Sequence, residues 1–277
     1  MIVATHYPFL DRSLAFARVH PRRSYALACR IAGAPPQGMF IGGSPMRSIR
    51  AAPHDGEELL LVGGEGHRPG SGGDTEQRYR RLERFAREHW DVRSVDYRWS
   101  AQDNTTLDGV PYAGRMTPVS DKVLMATGFA KWGMTGGTAA ALLLSELALG
   151  RDSPWKSFFD PNRLTVRASV SRLVTENAVT GLRFLGDRLA RRPASIEHLQ
   201  PGEADIVRSG DEVVAAYRDD DGTVTAVSPT CTHLGCRVVW NRAERSWDCP
   251  CHGSRFSPTG DVLQGPAVHR LERRPVD

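Results

Sequence analysis

Two short stretches hold the residues best suited to chemistry: Cys231-Thr232-His233-Leu234-Gly235-Cys236 and Cys249-Pro250-Cys251-His252-Gly253-Ser254. Each sets a thiol and an imidazole a few residues apart, and fifteen residues lie between His233 and Cys249. Of the five cysteines, four fall between positions 231 and 251, and Cys29 stands alone far upstream. A secreted disulfide scaffold spreads its cysteines along the chain, whereas crowding with interleaved histidines points to a metal. Zinc modules usually pair Cys with Cys and His with His along a ββα unit. Here each half is mixed and no helical pattern follows, although a structural zinc site on the same four ligands stays open. Val238-Val239-Trp240 and Trp247 read as a hairpin that would carry the two stretches to one end of a sheet.

The two boxes closely resemble the Rieske [2Fe–2S] family. In that family two cysteines hold one iron and two histidines the other, which raises the reduction potential above that of an all-cysteine cluster. The resemblance implies Cys231 and Cys249 as thiolate ligands and His233 and His252 as imidazole ligands. It also matches Cys236 and Cys251 to a pair that forms a disulfide beside the cluster, the alternative being two reduced buried thiols. Ser254 falls where the family directs a hydroxyl at a bridging sulfide, so it is expected to contact the cofactor. Two residues on, Phe256 stands where high-potential members carry a tyrosine, and the missing phenol implies a less oxidising cluster. Gly265-Pro266-Ala267 resembles the loop that covers the cluster, or else is a plain surface turn.

A second set of residues lies upstream. Gly128-Phe129-Ala130-Lys131-Trp132-Gly133-Met134-Thr135-Gly136-Gly137-Thr138 sits between a strand-like and a helix-like run. Glycines let backbone approach a ligand, and a helix N-terminus offers free N–H groups. Together with Asp108-Gly109-Val110-Pro111-Tyr112-Ala113-Gly114 and Ala4-Thr5-His6-Tyr7-Pro8, this segment resembles the C-terminal half of FAD-dependent oxidoreductases of the D-amino-acid-oxidase superfamily, some of which carry a C-terminal Rieske domain. The resemblance implies flavin contacts from Gly128, Gly133, Met134 and Thr135, with Thr5 and His6 following a strand of the nucleotide-binding part. For His6 a structural role in its loop is the open alternative. The Gly-x-Gly-x-x-Gly grip on the ADP half is not matched: Gly63-Gly64-Glu65-Gly66 lacks the spacing. The expectation is therefore a chain that starts inside the family fold, through a late start, a second polypeptide or loss of flavin binding.

The elements that must position these residues follow from periodicity. Tyr25–Ile31, Met39–Ile41, Leu59–Val62 and Lys122–Thr127 read as strands, Thr75–Trp90 as a helix through Tyr79, Leu82, Phe85 and Ala86, and Thr138–Leu149 as a helix stopped by Gly150. From Val170 to Leu189 apolar residues recur at helical spacing among arginines, which suits a helix across a domain junction or, alternatively, at a membrane surface. After Pro193 short alternating runs such as Glu212–Tyr217 and Val224–Val227 flank Asp220-Asp221-Gly222. The fold class is α+β: a partial FAD-dependent oxidoreductase (DAO-like) domain over 1–160, a linker helix over 161–193 and a small all-β Rieske domain over 194–277.

At 277 residues, 40% hydrophobic and 25% charged, the chain has material for real cores and is neither disordered nor fibrous. A net charge of +4 does not call for nucleic acid. The apolar run Ala139–Leu149 is short and broken by Ser145 and Glu146, so no membrane span is expected. The first residues lack the pattern of a secretory signal, making the cytoplasm the default compartment. The resulting expectation is an oxidoreductase fragment that passes electrons from a flavin-oxidised substrate, amine or amino-acid-like, through the [2Fe–2S] cluster to a redox partner protein. The alternative is a non-enzymatic Rieske-type carrier on a degenerate flavoprotein scaffold.

Overall fold

A computed structural model describes residues 1–10, 13–71, 73–163 and 194–276. The helix expected from Val170 to Leu189, within the 161–193 linker, lies outside the described residues. The chain forms two compact units, one of Met1–Pro21, Asp103–Trp240 and Ser246–Asp277, the other of Arg22–Gln102 and Asn241–Arg245.

In the first unit, Ile2–Val3, Ser120–Thr127 and Tyr112–Thr117 make a three-stranded sheet in that order. Ile2 and Val3 pair parallel with Leu124 and Met125, so the loops leaving the two parallel strands emerge at the same end. Helix Gly133–Ala148 packs Ala140, Leu143 and Leu144 on Ala113, Leu124 and Ala126. It starts five residues before the expected Thr138, taking Gly133 to Gly137 out of the turn and into the helix. Gly136 N–H donates to the Trp132 carbonyl at 2.7 Å. The apolar face further along holds the helix in place, offsetting the roughly 1 kcal/mol that each helical glycine costs.

The C-terminal part of this unit is all-β apart from one 3₁₀ turn at Ile196–His198. Arg273–Arg274, Val224–Val227, Glu212–Arg218 and Ala204–Ser209 form one four-stranded sheet. Val239–Asn241, Ser246–Asp248, Arg255–Phe256 and Val262–Gln264 form another. Alternation in Glu212–Arg218 sends Ala215 and Tyr217 into a core with Val227, Val238, Trp247, Phe256 and Leu271, on which four cysteines also pack. Val214 and Ala216 face a smaller cluster with Val207 and Ala226.

The second unit is a five-stranded sheet ordered Met39–Gly42, Arg47–His54, Glu57–His67, Val19–Ile31, Val92–Thr106. Helix Glu76–His89 covers it with Tyr79, Leu82 and Ala86 against Tyr25, Leu27, Leu60 and Val62. Its start and type match the 3.6-residue spacing of those side chains.

Candidate metal centre and flavin-side residues

Both boxes fold as the same loop. In the first, Cys231 N–H donates to the Cys236 carbonyl at 2.8 Å and Gly235 N–H donates to the Cys231 carbonyl at 3.0 Å. In the second, Cys249 N–H donates to the Ser254 carbonyl at 2.7 Å and Gly253 N–H to the Cys249 carbonyl at 3.0 Å. The turn needs the left-handed region four residues after each leading cysteine, and Gly235 (φ 74°) and Gly253 (φ 78°) supply it at no steric cost. The hairpin of Val239–Asn241 and Ser246–Asp248 places the loops side by side, and a Cys236–Cys251 disulfide joins them.

The structure brings all four expected ligands together. The Cys231 and Cys249 thiols are hydrogen-bonded to each other, and the His233 and His252 rings meet edge to face with centroids 4.9 Å apart. Both Nδ1 atoms are buried. The Cys249 hydrogen bond, aided by the His233 and Leu234 N–H groups and the Ser254 hydroxyl, pulls the Cys231 pKa down to about 7 against the opposing effect of burial. Cys249 is pushed the other way by its bond to Cys231 and by burial. Ready ionisation is what a thiolate ligand requires. Two hydrogen-bonded thiols and two touching imidazoles, supplied by paired loops, fit a [2Fe–2S] centre of the mixed-ligand type. The sulfurs of Cys236, Cys249 and Cys251 lie within 4.8 Å of one another, but two of them are spent on the disulfide.

Neighbouring groups hold this point rigid. Ser254 is fully buried; besides reaching Cys231, its Oγ accepts from Ala267 N–H at 3.0 Å, which ties the Gly265-Pro266-Ala267 loop over the centre. Thr232 Oγ1 donates to the His269 carbonyl at 2.5 Å from the first box. Beneath the second box, Asp248 accepts from Ser246 Oγ at 2.8 Å and Arg255 Nε at 3.1 Å. Phe256 is fully buried and Trp247 meets Trp240 at a tilt of 58°, 4.8 Å between centroids, leaving the cysteines in an apolar surround. Sequence reading did not find the Asp248–Arg255 support; its signal was an acid directly before Cys249 with a base directly after Ser254.

The flavin-side residues also come to one place. Thr5 and His6 leave the strand Ile2–Val3, and Gly128, Gly133, Met134 and Thr135 follow its parallel partner Ser120–Thr127. This is the carboxyl end of parallel strands, where open α/β sheets bind ligands. The His6 carbonyl accepts from Thr127 Oγ1 at 2.6 Å and Asn104 Nδ2 at 3.2 Å, both donors being buried. Thr5 Oγ1 donates to the Tyr7 carbonyl at 3.0 Å and Thr135 Oγ1 to the Trp132 carbonyl at 3.3 Å. Met134 is 89% exposed, and Gly133 and Gly137 face open space. Exposed N–H groups at the start of a 16-residue helix suit the electron-rich edge of a flavin. Not foreseen was the brace behind the Asp108 turn: Arg163 makes two 2.8 Å hydrogen bonds to the Asp108 carboxylate and lies over the Tyr112 ring.

The sequence profile of FAD dependent oxidoreductases matches residues 2–147, more than half of the chain. The chain belongs to this family. A Rieske [2Fe-2S] domain matches residues 193–275 of the same chain, so the family assignment implies FAD and the Rieske domain a [2Fe–2S] cluster. The chain is 37% identical over 279 aligned residues to YhfW of Bacillus subtilis (strain 168), a protein named for a Rieske 2Fe-2S iron–sulfur centre; the match covers 100% of this chain and 55% of YhfW. It is 37% identical over 84 residues to the cytochrome b6-f complex iron-sulfur subunit of Chlorobaculum thiosulfatiphilum, covering 28% of this chain and 46% of that one. Glycine oxidase from Geobacillus kaustophilus aligns with a TM-score of 0.43 at 20% identity, over 59% of this chain and 45% of that one. The chain spans about half the length of these curated relatives. Among the described residues no helix is long and apolar enough to cross a membrane.

Proposed function

We propose that Cys231, His233, Cys249 and His252 hold a [2Fe–2S] cluster that takes electrons from a flavin-oxidised substrate, amine or amino-acid-like, and passes them to a redox partner protein. The observation that carries this reading is the convergence of the two boxes, the thiols hydrogen-bonded and the imidazole rings 4.9 Å apart. A flavin supplies two-electron oxidation of a substrate, and a cluster supplies one-electron exchange. The protein's own contribution is positional. The disulfide and the Ser254–Ala267 bond hold the loops, while Trp247, Phe256 and Leu271 keep water from the sulfurs. Thr5, His6, Gly128, Gly133, Met134 and Thr135 form the flavin side at the carboxyl ends of the parallel pair. Rieske proteins pass electrons to redox partners, which is the step assigned to the histidine side of the centre.

Anaerobically purified protein tests the reading directly. Two irons and two labile sulfides per chain, a coloured oxidised form and a paramagnetic reduced form are expected; colourless, zinc-loaded protein overturns it. FAD released on denaturation supports the flavoenzyme, and a cluster without FAD the electron-carrier alternative.

A further inference from the structure

The two histidines of the centre are not equivalent. His252 is 6% exposed, whereas His233 is only half-buried. The Phe16 ring stands edge-on to His252, centroids 6.1 Å apart and planes at 87°. Phe16 belongs to the short helix Ala15–Arg18, within the span matched by the FAD-dependent oxidoreductase family, and that helix is firmly seated. Ala15 packs with Tyr7, Val19 and Tyr112. Arg18 donates to the Pro161 carbonyl at 2.5 Å and to the Ser13 carbonyl, and lies 5.4 Å over the Tyr112 ring. The aromatic ring is therefore held against one ligand of the candidate cluster by a part of the chain outside the Rieske domain.

We propose that Phe16 closes the His252 edge of the centre and leaves His233 as the edge at which the redox partner protein exchanges electrons. This rests on the ligand assignment above. An aromatic ring packed on an imidazole excludes both water and a partner's surface from that side, and electron exchange falls steeply with edge-to-edge separation. The His233 side carries the exposed apolar residue Leu234, and Val268 on the covering loop is 62% exposed. With a cluster held by these residues, each encounter would exchange one electron with the partner's redox group, balanced by one iron changing between Fe(III) and Fe(II). Phe16 acts through His252 and is a positioning residue.

Carbethoxylation of the holoprotein by diethyl pyrocarbonate, mapped by peptide mass spectrometry, reads the accessibility of each imidazole. With both Nδ1 atoms buried, the nitrogen within reach of the reagent is Nε2. In the unmodified chain His233 should react about tenfold faster than His252, a ratio that reports how rarely the His252 edge opens. Phe16→Ala should bring His252 to within about twofold of His233 without changing His233, and Phe16→Leu, which keeps most of the bulk, should give an intermediate rate. Equal reactivity of the two histidines in the unmodified chain overturns the proposal. So does continued protection of His252 in both Phe16 variants when their visible spectra show an intact cluster. Iron and sulfide analysis of His252→Gln separates the two layers: loss of the cluster upholds the ligand reading whatever Phe16 does, and retention overturns that reading and the proposal with it.

Discussion

At the cysteine boxes, Cys231 and Cys249 are 2% and 1% exposed, and each loop is closed by its own hydrogen bonds, by a disulfide and by a covering loop. At the glycine-rich end of the same unit, Trp132 and Met134 are 66% and 89% exposed, at the start of helix Gly133–Ala148. Both ends follow from strands that deliver loops to one edge of a sheet, yet the chemistry proposed for the first lies in side chains and that proposed for the second in backbone. A side-chain site must be enclosed to hold a metal against water, whereas a helix N-terminus works because it stays open to its ligand. The difference also explains why composition flags the first end and barely marks the second.

The comparison breaks most sharply on the ligands. Cys231→Ser is expected to remove the cluster entirely, measured as iron and labile sulfide per chain, while Thr135→Ala leaves both unchanged. Retention of iron in the Cys231 variant would remove the distinction between the ends. Opening the disulfide with Cys236→Ala and Cys251→Ala should cost about 3 kcal/mol of unfolding free energy, the chain-entropy value for a closed loop of this length. Chemical denaturation of the oxidised holoprotein measures it.

Gly128→Ala probes the backbone site. Gly128 has φ +78°, and an added Cβ would meet the Thr106 methyl at 2.4 Å. A loss of about 2 kcal/mol is expected from left-handed strain and the clash. The cluster's spectrum should be unchanged, and any weakening of FAD retention reports on the flavin side alone. Ser254→Ala is the gentlest change. It withdraws one hydrogen bond from Cys231 and leaves Ala267 N–H without its acceptor, so about 1 kcal/mol of stability and a lower reduction potential are expected. A potential unchanged in redox titration would show that the hydroxyl serves the covering loop and not the sulfur. Phe256→Tyr should move the potential upward, opposite to Ser254→Ala, if the missing phenol sets the cluster's poise.

How far the sequence reaches differs by element. The strands Tyr25–Ile31 and Lys122–Thr127 and the helix Thr75–Trp90 were legible because their apolar residues recur with the period of the element; the structure lengthens the strands at their N-terminal ends and trims the helix to Glu76–His89. The start of helix Gly133–Ala148 was not, since three glycines in its first five residues argue against helix and only packing of the later turns overrides them. In the metal region the residue types were legible, and the matched glycines at 235 and 253 were a signal not used. Glu244 lies in the hairpin's turn. It accepts a 2.6 Å hydrogen bond from Tyr79 and pairs with the nearly inaccessible Arg23 at 3.3 Å in the second unit, partners 165 and 221 residues away that no local pattern announces.

From the amino-acid sequence alone came the donor types and their spacing, because thiols, imidazoles and turn glycines act over a few residues and leave their mark in order along the chain. Only the tertiary structure decided that the Cys231 and Cys249 thiols meet, what stands behind Asp108 and Asp248, and that an aromatic ring from position 16 rests on the histidine at 252. Those are properties of distance and burial between segments remote in sequence, and nothing in local order encodes them.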